Sequence, residues 1–171
     1  GIGLMYMMTG TLNMADLAER LPAMYETRTA MVAFAFLTVG MLIKLAMFPM
    51  HMWLPNAYCY APSVITAFLA ATATKVSIYV FLRFTFTVWG AEFVFEKLNL
   101  DAFLIPLALI GIYVASIAAI YQTNVKRLLA YSSVAQIGYM MLGISFISVK
   151  GLAGGIVHLF NHALMKSALF L

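Results

Sequence analysis

The chain has 171 residues, of which 64% are hydrophobic and only 9% are charged, and its mean hydropathy is +0.97. Soluble domains carry roughly 25% charged residues, so this composition excludes a soluble globular protein and indicates an integral membrane protein. The formal net charge of +4 comes from scattered residues rather than a basic run that could follow nucleic acid phosphates, and we expect no nucleic-acid partner.

The N-terminal elements are short. Residues Ile2–Met8 resemble the last turns of a spanning helix, and Leu171 lies inside an apolar run without a capping residue, so we expect an internal fragment truncated at both ends. The segment Thr9–Arg28 is more polar, and Asn13 is placed to cap a short amphipathic helix over Met14–Leu21. We expect this segment to lie at the membrane interface.

Five stretches approach the length of about 20 apolar residues that a helix needs to cross a bilayer. They are Thr29–Phe48, Pro62–Trp89, Ala102–Gln122, Leu128–Ile147 and Gly151–Leu171. The sequence therefore predicts an all-α fold, a polytopic transmembrane helix bundle of about five spans plus part of another.

Charges between the spans predict an orientation. Lys126 and Arg127 form the clearest basic pair in a short loop, and the positive-inside rule places that loop on the cytoplasmic side. By alternation, the loop Gly90–Asp101 and the segment Thr9–Arg28 fall on the opposite side.

Three prolines interrupt the helical pattern between the first two spans. They lie in the run Phe48–Pro62, and because proline lacks an amide donor, we predict a broken helix near residues 48–62. Non-helical backbone at membrane depth is tolerated where it is buried in protein or lines an aqueous cavity, as at the ion sites of transporters. An interfacial loop with Trp53, Tyr58 and Tyr60 in the aromatic belt is an equally good interpretation.

Four ionisable residues follow one another in and around the first two spans. Lys44, just before the predicted break, either snorkels to the interface or faces a hydrated interior, and His51 within the break fits a structural role as well as proton transfer. Lys75 lies about 20 Å along its helix, near the bilayer centre, so we predict a hydrated internal role. Arg83, two turns further on, is expected to anchor or pair, because guanidinium does not deprotonate.

His158, His162 and Lys166 recur every four residues in the last span, so in a helix they project from one face. Leaving one such group in hydrocarbon costs about 2.5–3.5 kcal/mol on insertion scales, so we predict that the row faces protein or a water-filled path and passes protons. The histidine pair suits zinc, but the glutamate of the metalloprotease motif is missing, and haem needs opposed histidines. We predict neither a metal nor another cofactor.

Gln136 shares its span with the hydroxyl residues Tyr131, Ser132, Ser133 and Tyr139. These groups either order water beside the ionisable residues or serve ordinary packing, since a hydrogen bond between membrane helices contributes only about 0.6 kcal/mol.

Four motifs resemble the antiporter-like family shared by multisubunit Mrp sodium/proton antiporters, complex I and membrane-bound hydrogenases. They are KLAMFPMHMWLPNAYCYAPS at residues 44–63, KVSIYVFLR from Lys75, NVKRLLAYSSVAQIGYMMLG from Asn124 and HLFNHALMKSALFL from His158. The first resembles the family's lysine followed by Pro-x-His-x-Trp-Leu-Pro and a downstream Ala-Pro. All four stand in the family's order and cover nearly the whole chain, and the opening YMMTGTLNMADL is similar to the D-type subunits of the Mrp antiporters.

The resemblance implies the roles of five residues. Lys44 would be the family's central lysine beside its broken helix, and Lys75 the relay lysine next along the path. His158, His162 and Lys166 would continue the hydrophilic axis.

The resemblance also implies what the chain is and one departure from the family. Residues 1–171 would be a single fragment of a proton antiporter/NADH-quinone oxidoreductase-type transmembrane domain, in a bacterial cell (inner) membrane, among other membrane subunits. Many complex I members carry histidine where Gln136 stands. Glutamine cannot take up a proton at physiological pH, which puts a relay through this position in doubt.

The expected function is proton translocation in a multisubunit Na⁺/H⁺ antiporter, in which the buried Lys/His relay exchanges protons for a monovalent cation. The alternative is a proton-pumping subunit of a complex I-type NADH-quinone oxidoreductase or a membrane-bound hydrogenase. Redox chemistry would then reside in partner subunits, because the chain has no flavin, iron–sulfur or nicotinamide motif. A purely structural membrane scaffold is a third possibility.

Overall fold

The computed structural model describes residues 1–171, and its regular secondary structure is helical throughout, which confirms the all-α prediction. The α-helices are α1 Ile2–Thr9, α2 Met14–Arg20, α3 Arg28–Leu45, α4 Trp53–Tyr60, α5 Ser63–Leu82, α6 Leu100–Ile120, α7 Val125–Ser145 and α8 Val149–Phe170. A 3₁₀ turn, Leu21–Met24, follows α2, and two π-helical turns, Arg83–Val88 and Glu92–Lys97, lie between α5 and α6.

Four helical segments are long and apolar enough to cross a membrane. They are α3, α5 together with its π-helical continuation to Val88, α6 and α7. These confirm four of the five predicted spans. The fifth, α8, has 22 residues, but it is not among the four sufficiently apolar segments, so its crossing of the bilayer stays a prediction, as does the orientation.

The chain divides into two compact units, and the first comprises residues 1–42 and 78–99. Here α2 begins as predicted: the Asn13 side chain accepts a hydrogen bond from the backbone amide of Ala15 at 2.9 Å, and Asp16 lies in the first turn. Both features stabilise a helix N-terminus, the first by satisfying a free amide and the second through the helix dipole. Pro22 then lies in the 3₁₀ turn that follows α2.

The predicted loop Gly90–Asp101 is wrong, because the π-helical turn Glu92–Lys97 and the start of α6 occupy most of it. Burial explains the difference. The Phe93 ring stacks on Tyr25, with ring centroids 4.1 Å apart, and on Trp89, at 5.5 Å, so apolar side chains order this stretch. Burial raises the pKa of Tyr25, with a smaller contribution from the Glu92 carboxylate, and its hydroxyl donates to the Trp89 carbonyl.

The second unit comprises residues 43–77 and 100–171, and α7 packs against α6, α8 and α4 within it. Two glycines on α7 let its neighbours approach. A Cβ on Gly138 would lie 2.7 Å from a side-chain carbon of Ile112 on α6, and one on Gly143 would lie 2.9 Å from the Gly151 carbonyl oxygen on α8. Small residues at such crossings are typical of packed membrane helices.

The predicted break near residues 48–62 is confirmed, although part of it is helical. Helix α3 ends at Leu45, and Ala46 follows in the left-handed conformation with φ 61°. The short helix α4 accommodates Pro55 in its first turn, where the missing amide of proline has no helical partner to lose. The indole nitrogen of Trp53 donates to the carbonyl of Ile43 at 2.9 Å, which ties the end of α3 to the start of α4.

The aromatic residues of this segment differ in environment. Trp53 and Tyr60 are exposed, as residues of an interfacial belt would be, whereas Tyr58 is fully buried. The segment is therefore neither a plain interfacial loop nor irregular throughout: α4 buries one face and exposes the other.

Candidate functional site

Four basic side chains are buried in the second unit, and three of them lie on the helices α5 and α8. Lys75 of α5 is 5% exposed, and His162 and Lys166 of α8 are 1% and 3% exposed. Burying a charge is expensive unless it is paired or hydrated, so such groups mark functional sites more often than structural ones. We call these three residues, together with His158, the polar row.

Both lysines of the polar row donate to backbone carbonyls rather than to carboxylates. The Lys75 ammonium donates to the Ala70 carbonyl of its own helix, and the Lys166 Nζ donates to the Leu129 carbonyl of α7 at 2.8 Å. The charges of the two lysines act on each other and on His162, so these side chains form one electrostatic group although they lie on two helices. The only acidic residue of the second unit is Asp101, which forms no ion pair.

His162 makes no hydrogen bond with the protein, although both of its ring nitrogens are buried. A neutral imidazole has one donor and one acceptor, and buried polar atoms are nearly always hydrogen-bonded. The ring is therefore suited to exchange a proton with water or with a neighbouring group that moves.

His158 is half-buried and extends the row along the same face of α8. Its ring is nearly parallel to that of His162, with centroids 6.1 Å apart and planes at 17°. Its Nε2 lies 2.6 Å from the Oε1 of Gln136 on α7, and its ring forms a T-shaped pair with that of Tyr139, with centroids 6.5 Å apart. Because His158 and Lys166 both hydrogen-bond to α7, the predicted common face of the row is confirmed and is turned towards that helix.

His51 is buried between aromatic rings in the second unit. It stacks on Phe48, with centroids 5.5 Å apart, and meets the Tyr131 ring of α7 edge-on at 6.3 Å. Its Nδ1 is buried without a partner. No hydrogen bond or ring contact joins His51 to the polar row, so its supporting role stays a prediction.

Lys44 and Arg83 have exposed side chains. Lys44 belongs to the second unit, in the last turn of α3, and forms no hydrogen bond, so the structure does not bring it into the polar row. Arg83 belongs to the first unit, where it begins a π-helical turn. The sequence identified both as charges in apolar surroundings but could not tell which face of each helix packs against protein. Their roles stay predictions.

The sequence did not predict a polar contact that Tyr58 makes near the site. Its hydroxyl donates from α4 to the Leu69 carbonyl on α5 at 3.3 Å, one residue before the Ala70 carbonyl that accepts from Lys75. The broken segment is thereby connected to the helix of the buried lysine. No local pattern pairs residues 58 and 69, and the aromatic-belt interpretation pointed Tyr58 elsewhere.

An open pocket of about 340 Å³ lies between α6 and α7. Its lining includes the polar residues Ser116, Ser132, Gln136 and Tyr139. Gln136 therefore belongs both to this pocket and, through its contact with His158, to the surroundings of the polar row. No three His, Cys, Asp or Glu side chains converge closely enough to hold a metal ion.

Comparisons with known proteins agree with this architecture. The family model for the NADH:quinone oxidoreductase/Mrp antiporter transmembrane region matches residues 1–171. The chain is 44% identical, over 99% of its length, to the N-type subunit of the NADH-quinone oxidoreductase of Desulforudis audaxviator. It is 33% identical, over its full length, to the D-type subunit of the Na⁺/H⁺ antiporter of Alkalihalophilus pseudofirmus. In each case it covers 34% of the relative, so it spans about a third of their length.

Two solved structures are similar over 99% of the chain. One is the Mrp complex from Dietzia sp. DQ12-45-1b, with 29% identity, a TM-score of 0.86 and 30% of that chain covered. The other is the membrane-bound sulfane sulfur reductase, an archaeal respiratory membrane complex, with 32% identity, a TM-score of 0.87 and 34% covered. The predicted resemblance is confirmed: the chain is a multi-pass membrane protein and belongs to the NADH:quinone oxidoreductase/Mrp antiporter family.

Proposed function

We propose that this chain carries protons through the polar row as part of a membrane subunit in a multisubunit complex. The observation that supports this most directly is the burial of Lys75 and Lys166 without a carboxylate. A stable structural core would gain from apolar residues in their place, because a buried charge costs more than it returns when its geometry is incomplete. Keeping two such lysines in mutual range is the arrangement a proton carrier needs.

Mutual repulsion provides the means of moving a proton. Because like charges repel, protonating both lysines costs more free energy than protonating one. Protonation of Lys75 therefore favours release of a proton from Lys166. His162 has no competing hydrogen bond, so once one lysine has released its proton, the ring can accept a proton and pass it to the other lysine. His158 would continue the path along α8.

Residues outside the polar row would support this path. We assign Lys44 to the access side at the broken helix, where its exposed side chain is available to parts of the full protein beyond these residues. His51, packed at the same break, would hold that segment in place, and Arg83 would anchor its helix.

The predicted coupling is exchange of protons for Na⁺ or another monovalent cation in an Mrp-type complex of a bacterial cell membrane. The 33% identity to the D-type subunit of an Na⁺/H⁺ antiporter and the similarity to a solved Mrp complex support it. A second candidate is redox-driven proton pumping, supported by the 44% identity to the N-type subunit of an NADH-quinone oxidoreductase. In that case the redox centres would lie in partner subunits.

The test compares the full-length parent complex in inverted membrane vesicles with its Lys75→Ala variant at equal assembly. Lys150→Ala is the matched control, because Lys150 is an exposed lysine in the first turn of α8. A sodium-dependent ΔpH that Lys75→Ala abolishes and Lys150→Ala preserves supports an antiporter. A ΔpH that requires NADH or another reductant instead supports the redox-driven candidate. Unchanged proton movement in Lys75→Ala would overturn the proposed path.

A further inference from the structure

Gln136 makes the only hydrogen bond from a protein side chain to His158. Its Oε1 lies 2.6 Å from the His158 Nε2, well within hydrogen-bonding distance. An amide oxygen only accepts, so this contact requires the proton on Nε2 and leaves the lone pair of the ring on Nδ1. Tyr139 forms a T-shaped ring pair with His158, with centroids 6.5 Å apart, but this ring contact does not select a tautomer.

The same glutamine lines the open pocket between α6 and α7, together with Ser116, Ser132 and Tyr139. The pocket is roomy enough for several waters at about 30 Å³ each, and hydroxyl groups line part of it. Water there would be separated from His158 by the amide of Gln136. A proton moving from the pocket to the polar row would therefore have to pass this amide.

We propose that Gln136 is a positioning residue that holds His158 as its Nε2–H tautomer and keeps the pocket between α6 and α7 out of the proton path. This inference rests on the proposed function of the polar row and adds that the proton path ends at Gln136 on the side of the pocket.

The chemistry of the amide explains why protons do not pass between the pocket and His158. An amide side chain does not titrate, so His158 cannot hand its Nε2 proton to Gln136, and a proton in the pocket meets no free acceptor at Nε2. His158 instead takes one proton at Nδ1, forming imidazolium, and releases a proton from the same nitrogen. The glutamine thus allows His158 to exchange protons within the row and prevents proton leak between the pocket and His158.

The first test measures passive proton influx into proteoliposomes that contain the full-length complex. A potassium diffusion potential drives the influx, without sodium or an electron donor, so that only leak is observed. Gln136→His places a titratable ring between the pocket and His158, and we expect a several-fold rise in influx. Gln136→Met has similar length but cannot relay a proton, so any influx requires water to reach the freed His158 Nε2 directly, and this variant should leak less than Gln136→His.

Two further variants locate the leak. Ser116→Ala removes a pocket hydroxyl without touching His158 and should leave the influx at the wild-type level. Adding His158→Asn to Gln136→His should return the influx to that level, because the new route would pass through His158. Equal influx in Gln136→His and the wild type, at equal assembly, would overturn the proposal, and so would equal leaks in the histidine and methionine variants.

The second test reads the tautomer directly in the otherwise unmodified complex. Nitrogen NMR of ¹⁵N-histidine-labelled protein, with the His158→Asn variant used to assign the His158 signals, should show a protonated Nε2 and an unprotonated Nδ1. Gln136→Met should convert this pattern into a mixture of both tautomers. A wild-type His158 protonated at Nδ1 would overturn the proposal while leaving the proposed function, which depends on Lys75, intact.

Discussion

The two compact units of this chain differ in the burial of their charged side chains. The first unit contains five of the six acidic residues, and its ion pair between Lys97 and Glu26 lies at the surface, with the two side chains 39% and 85% exposed. The second unit contains one acidic residue but buries two lysines. Water solvates the charges of the first unit at little cost, whereas the second unit must bear the cost of desolvation. We therefore expect the polar row to serve the proposed function at some cost in stability.

Replacing Lys75 with arginine should have the largest effect, because it separates charge from proton transfer. The positive charge remains, but guanidinium does not release its proton, so we expect proton translocation to fall about 100-fold, the lower range for a positioned proton-transfer group. The measurement is ΔpH formation in vesicles at matched complex levels, with Lys150→Arg as the control. Activity near the wild-type level in Lys75→Arg would mean that Lys75 contributes only charge.

Lys166→Met tests whether the second unit gives up stability for function. Methionine keeps the length of the side chain and removes the buried charge, a change that is often neutral or stabilising in proteins. We expect proton translocation to drop about tenfold or more while the thermal inactivation midpoint of the complex stays equal or rises. A clear fall in that midpoint would instead assign Lys166 a structural role through the Leu129 carbonyl.

Gly138→Ala tests the close crossing of α6 and α7 within the second unit. The new methyl group would lie 2.7 Å from a side-chain carbon of Ile112 and 3.0 Å from the Ala108 carbonyl oxygen, so the helices must separate. Overpacking of this kind costs about 1–3 kcal/mol, and the thermal midpoint should fall. Gly154→Ala is the matched control, because nothing lies within 4 Å of its added carbon. Equal midpoints for both variants would show that the crossing tolerates the methyl group.

Lys97→Ala should have the smallest effect, because it removes a surface ion pair of the first unit. Exposed pairs contribute about 0.2–1 kcal/mol, and salt screens them. We expect unchanged proton translocation and at most a small fall in thermal stability that disappears at high ionic strength. A loss of translocation comparable with that of Lys75→Arg would contradict the view that the buried charges of the second unit, and not the surface charges of the first, carry protons.

Local physics explains which features were predictable from the sequence. The composition predicted membrane helices, because transfer into hydrocarbon depends on the residues of each segment alone. The four-residue spacing of His158, His162 and Lys166 predicted a shared face, because helical periodicity is fixed by the backbone. The cap at Asn13 and the broken helix near residues 48–62 followed from the same kind of short-range rule.

Other features were decided only when distant segments packed together. Residues 92–97 are helical because Phe93 finds aromatic partners far away in sequence, and α4 forms within the predicted break because Tyr58 reaches α5. Likewise, the sequence left open whether Lys44 reaches the interface or faces a hydrated interior, and packing leaves it exposed, whereas Lys75 is buried in the polar row.

The sequence by itself therefore determined the membrane class of this protein, the family resemblance and the residue types of the polar row. Tertiary structure decided which of those residues meet. The contact between Gln136 and His158 shows why: a spacing of 22 residues across two helices carries no local signal. Hydrophobicity and helical period act along the chain, whereas burial and hydrogen bonding depend on which faces of separate helices come together.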